Sequence, residues 1–141
     1  MTTTAPVLTP QIVGQAENAH KPLLARILAP TGTTTDQWVA LTMTAAAGGT
    51  IEVEQLAAQM VGALKIDQAA AQDTIAELVA TRLLADEASQ VGLTDAGRAR
   101  HGQIRAAVDA IIAQVYGDIP TEDLATAARV LTLITDRLNA A

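Results

Sequence analysis

Cysteine and phenylalanine are absent from this sequence, and tryptophan, tyrosine and serine occur once each, as Trp38, Tyr116 and Ser89. Without cysteine, disulfides, thiolate metal sites and cysteine redox sensing are excluded, and redox logic leaves the compartment undetermined. Aromatics make up 1 % of a chain that is 50 % hydrophobic. The core must therefore come from Leu, Ile, Val and Ala, which favours closely packed helices. A Ser-His-acid triad would need Ser89 as its nucleophile, and a zinc site would need His20 and His101 to converge with acids such as Glu17 without HxxxH or CxxC spacing. Both histidines read more simply as solvated or hydrogen-bonded surface residues. No GxGxxG or P-loop occurs, Gly48-Gly49 reads as a turn, and no enzyme activity, metal or cofactor is expected.

Positive charge is also scarce. Nine Lys and Arg face 15 Asp and Glu, for a net charge of −6, which argues against nonspecific adhesion to nucleic acid or anionic lipid. A local basic site remains compatible with that balance. No apolar run approaches the ~20 residues of a membrane span, and the leading "MTTTAPVLTP" lacks the charged and apolar regions of a signal peptide. The expectation is a cytoplasmic protein with no membrane partner.

At 141 residues the chain fits one folding unit that a symmetric partner could supplement. After a polar lead, Ile12, Ala16, Ala19, Leu23 and Ile27 recur at helical spacing, carried past Pro22 with a kink or break. Pro30 and "TGTTT" stop this helix. Thr35 with Asp36 is the expected N-cap of a second helix, "DQWVALTMTAAA", which ends at Gly48-Gly49. "TIEV" fits one short edge strand. Leu56, Met60 and Leu64 then mark a third helix, and Asp67 caps a fourth whose Ala71, Ile75, Leu78 and Val79 share one face. Two helices joined by Lys65-Ile66-Asp67 suggest a helix-turn-helix. "LLADEASQVGL" fits a small hairpin with an acidic tip. Leu93 anchors its end, Thr94 caps a fifth helix, and Gly97 permits close packing there. That helix runs through Ile104, Val108, Ile111, Ile112 and Val115 to Tyr116. Thr121 is the expected N-cap of a last helix striped by Leu124, Ala128, Leu131, Ile134 or Thr135, and Leu138.

This order, with four motifs, resembles the MarR family of winged-helix transcription regulators. "TTDQWVAL" at 34–41 is similar to the family's Leu-Thr-x-x-Gln-(aromatic)-x-(apolar)-Leu opening of the second helix, with Thr34 in the leucine's place. "VEQLAA" resembles the start of the helix before the recognition helix. "LTDAG" matches the Leu-Thr-x-x-Gly that closes the wing, and "PTEDLATAARVLTLI" resembles the last helix. The resemblance implies a mainly α fold with a small β-hairpin wing: one winged helix-turn-helix lobe, approximately 34–97, with N- and C-terminal dimerisation helices at approximately 8–29 and 98–141. It implies a homodimeric repressor that binds double-stranded DNA, with a small aromatic ligand seated between the dimer helices and the lobe. His20, Leu24, Trp38 and Met43 are candidates for that pocket by location. Trp38 equally suits plain core packing. The apolar stripes of the terminal helices independently favour a dimer, since they exceed what one small core needs, although they could also pack within one subunit.

The expected recognition helix departs from the family in its chemistry. With Ala71, Ile75 and Leu78 inward, the outward residues are Ala69, Asp73, Ala76, Glu77 and Ala80. The family usually carries Arg or Lys, Ser and Thr where Gln68, Ala69, Ala70, Gln72 and Asp73 stand here, and a basic residue where Glu77 stands. The wing tip keeps Asp86 and Glu87 but no Arg. The third helix also looks about a turn longer than the family pattern, which shifts the register of the fourth by a few residues. From Val53 to Arg100, four bases face seven acids, a balance of −3. The candidate DNA contacts are Gln68, Ala69, Gln72, Asp73, Arg82, Arg98 and Arg100. The two Gln can read adenine, and the three Arg can hold phosphates. Alternatively the Gln are solvated helix surface and the Arg cap helices or pair with nearby acids. The functional alternative is a winged-helix dimer without specific DNA binding, serving as a protein-interaction or ligand-sequestering module.

Overall fold

The computed structural model describes residues 6–141; residues 1–5, part of the stretch read above for a leader signal, lie outside them. Helix α1 (Pro10–Leu28) opens with Pro10 in its first turn and the Thr9 hydroxyl accepting from the Ile12 N–H at 3.3 Å. It continues past Pro22 without a break, since a proline removes only its own N–H from the ladder. A 3₁₀ turn (Ala29–Thr31) then ends at Gly32, which takes φ 67°. Helix α2 (Thr35–Ala46) is capped by Thr34, one residue earlier than expected. Only from position 34 does a glutamine follow three residues later. The Thr34 Oγ1 accepts from the Gln37 N–H at 3.1 Å, and the Gln37 Oε1 accepts from the Thr34 N–H at 3.0 Å, a complete capping box.

Strand β1 (Thr50–Glu52) leads into α3 (Val53–Leu64), which turns through Lys65 at φ 57° into α4 (Gln68–Ala80). Strands β2 (Leu84–Glu87) and β3 (Gln90–Leu93) form the expected hairpin. The sheet gains a third member, because β1 pairs antiparallel with β3, giving the order β1-β3-β2 with Ile51 opposite Val91. Helix α5 (Asp95–Tyr116) follows, then α6 (Thr121–Ala140). The N-cap of α6 is Pro120 rather than Thr121, its carbonyl accepting from the Leu124 N–H at 3.1 Å.

The described residues divide between two compact units, one ending at Val108 and one comprising Asp109–Ala141. The first unit extends into α5 because Ile104 and Val108 join Leu24, Ile27, Leu28 and Trp38 in an apolar cluster. The main core of the first unit gathers Leu41, Leu56, Met60, Ala71, Leu78 and Leu84 from α2, α3, α4 and β2, each at 0 or 1 % exposure. At about 25 cal/mol per Å2 of apolar surface removed from water, a fully buried Leu or Met stabilises by roughly 1.5–3 kcal/mol, so this cluster is the main source of the lobe's stability. In the second unit no residue is buried. Among the described residues no helix is long and apolar enough to cross a membrane.

Candidate nucleic-acid interface

Helix α4 owes its position to both of its ends. Asp67 caps the start, its Oδ1 accepting from the Ala70 N–H at 2.7 Å. The end is tied down through the wing: the Thr94 hydroxyl donates to the Arg82 carbonyl at 2.6 Å and accepts from the Gly97 N–H at 2.9 Å. One side chain thereby joins the exit of α4 to the start of α5. Gly97 is required at that crossing, because a Cβ there would stand 2.0 Å from the Leu83 carbonyl oxygen. These contacts explain the Leu-Thr-x-x-Gly spacing physically.

Between those anchors Ala71, Thr74, Ile75 and Leu78 are buried, while Gln68, Ala69, Gln72, Asp73, Ala76, Glu77 and Ala80 are exposed. The first two turns thus present two carboxamides and one carboxylate to solvent, with alanines between them. Glu77 has a specific partner that spacing alone did not show. Its Oε2 accepts from the Gln37 Nε2 at 3.2 Å, a contact spanning forty residues of sequence. Gln37 therefore closes the cap of α2 and tethers α4 with the two ends of one amide. The sequence signal was the Thr34-x-x-Gln37 box, which implies a Gln held at the helix start.

The three candidate arginines sit in different settings. Arg82 is exposed in the turn from α4 to β2, at a left-handed φ of 62°, a conformation that costs a non-glycine residue of order 1 kcal/mol. Arg98 is largely exposed in the first turn of α5, 3.7 Å from the Asp95 carboxylate, with its guanidinium passing over Gly49. Arg100 is half-buried, and its Nη1 donates to the Thr31 carbonyl at 2.7 Å and to the Thr33 hydroxyl at 2.9 Å. Two residues on a helix lie about 200° apart around its axis, so Arg98 and Arg100 serve opposite sides of α5. Arg100 fastens α5 to the turn after α1.

At the acidic hairpin, Asp86 and Glu87 are exposed on β2, and Ala88 takes φ 58° in the turn. Gln90 donates to the Glu52 carboxylate across β3 and β1 at 3.1 Å.

The four pocket candidates also separate. His20 and Leu24 line an open groove of about 530 Å3 on α1, together with Glu17, Lys21, Ala25 and Thr35. Met43 packs against the main core instead. Trp38 is buried in the second cluster, where its ring stacks on His101 at a centroid distance of 5.1 Å and an interplanar angle of 22°. His20 is exposed, its Nδ1 2.6 Å from the Ala16 carbonyl, as a surface histidine should be. His101 departs from that expectation: it is half-buried, with its Nε2 fully enclosed and without a hydrogen-bond partner. Burial lowers its pKa from the ordinary 6.5, and the positive charge of Arg105 lowers it further. No group of three or more acid or histidine side chains among the described residues is arranged to hold a metal ion.

No protein-family model and no curated protein matches the chain. Solved structures do. A MarR family transcriptional regulator from Silicibacter pomeroyi superposes with a TM-score of 0.77 at 24 % identity, over 92 % of this chain and 88 % of that one. The reduced form of MarR from E. coli gives 0.69 at 19 %, over 92 % and 95 %. NadR in complex with 4-hydroxyphenylacetate gives 0.75 at 20 %, over 91 % and 95 %. Across nearly its whole length, the chain has the winged-helix fold of these MarR-type structures.

Proposed function

We propose that the chain is a homodimeric DNA-binding transcriptional regulator of the MarR type, acting as a repressor on a pseudo-palindromic site with one α4 per half-site. The observation that carries this reading is the solvent face of α4. A helix capped at Asp67, held through Gln37 and Thr94, turns Gln68 and Gln72 outward in its first two turns. A glutamine amide can make paired hydrogen bonds to adenine in the major groove, and Arg82 and Arg98 are exposed for phosphate contacts beside it. The Gln37 contact gives the Glu77 carboxylate a part in holding α4.

Dimerisation is supported by apolar side chains that stay exposed: Ile12 and Val13 on α1, and Leu131, Leu133, Ile134 and Leu138 on α6. A second copy of the chain would cover them. A small-molecule response is supported by the groove that holds His20 and Leu24 and by the aromatic acid bound to the NadR neighbour. A ligand preferring the DNA-incompatible spacing would release the operator.

The test is fluorescence anisotropy of the full chain on the DNA upstream of its own gene and on scrambled DNA, at low and moderate salt. The reading expects selective binding that weakens with salt. Arg98→Ala should lower affinity, and Asp73→Lys should leave or improve it. Arg100→Ala should act mainly through folding stability. No selective binding by a folded dimer at low salt would favour an interaction module for a basic protein, to which the exposed Asp73, Asp86 and Glu87 are suited.

A further inference from the structure

The first half of α5 is fastened to the rest of its unit by three contacts in succession: the Arg100 guanidinium on Thr31 and Thr33, the His101 ring on Trp38, and Ile104 in the apolar cluster with Leu28. The first is a guanidinium bonded to a carbonyl and a hydroxyl, and the third is purely apolar. Only the second can change state near neutrality. We propose that the Trp38–His101 stack is an acid-sensitive joint, holding the first half of α5 against α1 and α2 while the imidazole is neutral and loosening when it takes a proton.

The argument rests on what surrounds the ring. Leu24, Ile27 and Leu28 of α1 pack on this cluster, α2 contributes Trp38, and α5 adds Ile104 and Val108. The charge that acts on His101 is the like charge of Arg105, one turn further along α5, and its sequence neighbour Arg100 is cationic as well. In a neutral imidazole the enclosed Nε2 can be a bare lone pair, which is tolerable without a partner. Protonation turns it into a buried N–H with no acceptor and adds a positive charge beside Arg105, both of which cost stability. A cation over the indole face recovers part of this, against the combined cost of burial and of the like charge of Arg105, which lower the pKa.

The sign follows from linkage. His101 binds its proton less readily folded than unfolded, so its contribution is intact above the ordinary 6.5 and is lost as pH falls from there to the folded pKa. Because α5 begins where β3 ends, the same joint fixes the base of the wing relative to α1.

Trp38 is the sole tryptophan, so its emission reports on the joint without a label. On titrating the full chain from about pH 8 to about pH 4.5, Trp38 emission should change with a midpoint below 6.5. His20→Gln should keep that transition. His101→Phe, which preserves a stacking ring, should lose it and should also lose the acid-induced fall in Tm. A midpoint at or above 6.5, or an unchanged transition in His101→Phe, would overturn the proposal. Should that variant not fold, hydrogen exchange of the native chain decides. Opening of residues 96–105 must increase on acidification, after correction for intrinsic exchange, and no increase would refute the joint. None of these readings depends on DNA binding.

Discussion

In the unit that ends at Val108, Leu41, Leu56, Met60 and Leu78 are fully buried, whereas in Asp109–Ala141 nothing is buried and Leu138 is 70 % exposed. Both regions draw on the same aliphatic residue types. The first bends three helices and three strands around one point, so each leucine meets neighbours from distant sequence. The second has only the end of α5 and α6, too few surfaces to enclose a stripe. A helix can satisfy all of its backbone polar groups and still leave its apolar face without cover. The lobe therefore carries its stability within its own core, and the C-terminal unit leaves its apolar face uncovered by its own residues.

Four substitutions sharpen or break that contrast, taken from the largest expected effect down. Leu56→Ala empties a site at 0 % exposure and should cost about 2–5 kcal/mol in chemical denaturation. A loss below about 1 kcal/mol would mean that the lobe core is looser than its burial indicates. Gly97→Ala forces a Cβ against the Leu83 carbonyl and should cost roughly 1–3 kcal/mol by overpacking. A neutral result would show that α5 slides freely on the wing. Asp67→Ala removes the cap of α4 and should cost about 1 kcal/mol, with circular dichroism registering only a small loss of helix. Leu131→Ser combined with Leu138→Ser should change stability extrapolated to low protein concentration by less than about 0.5 kcal/mol. The same pair should abolish the concentration dependence of Tm and shift sedimentation toward the monomer. If it instead unfolds the dilute chain, the C-terminal stripe belongs to an intrachain core.

Much of the architecture was legible because it is local. Helical spacing located α1 to α6, Asp67 and Thr94 marked two helix starts through hydroxyl or carboxylate caps, and Leu93-Thr94-x-x-Gly97 placed the junction of wing and α5. The inward and outward faces of α4 also followed from periodicity, since burial matches the residues expected on each side. Caps were misplaced by one residue at Thr34 and Pro120, where reciprocal side-chain bonding and the proline carbonyl decide between adjacent candidates.

The partners of polar side chains were a different matter. Sequence spacing put Arg98 and Arg100 together as phosphate candidates, yet a helix separates them by more than half a turn and the fold brings Thr31 and Thr33 to one of them. It left Glu77 as an outward acid and His101 as a surface histidine. Gln37 and Trp38 reach those two across forty and sixty-three positions. Periodicity, capping and turn chemistry act over one to four residues, so the chain alone determined its helices, its wing and the apolar face of each helix. Which charged and polar groups meet depends on how those elements cross, and that was decided only when the apolar faces packed.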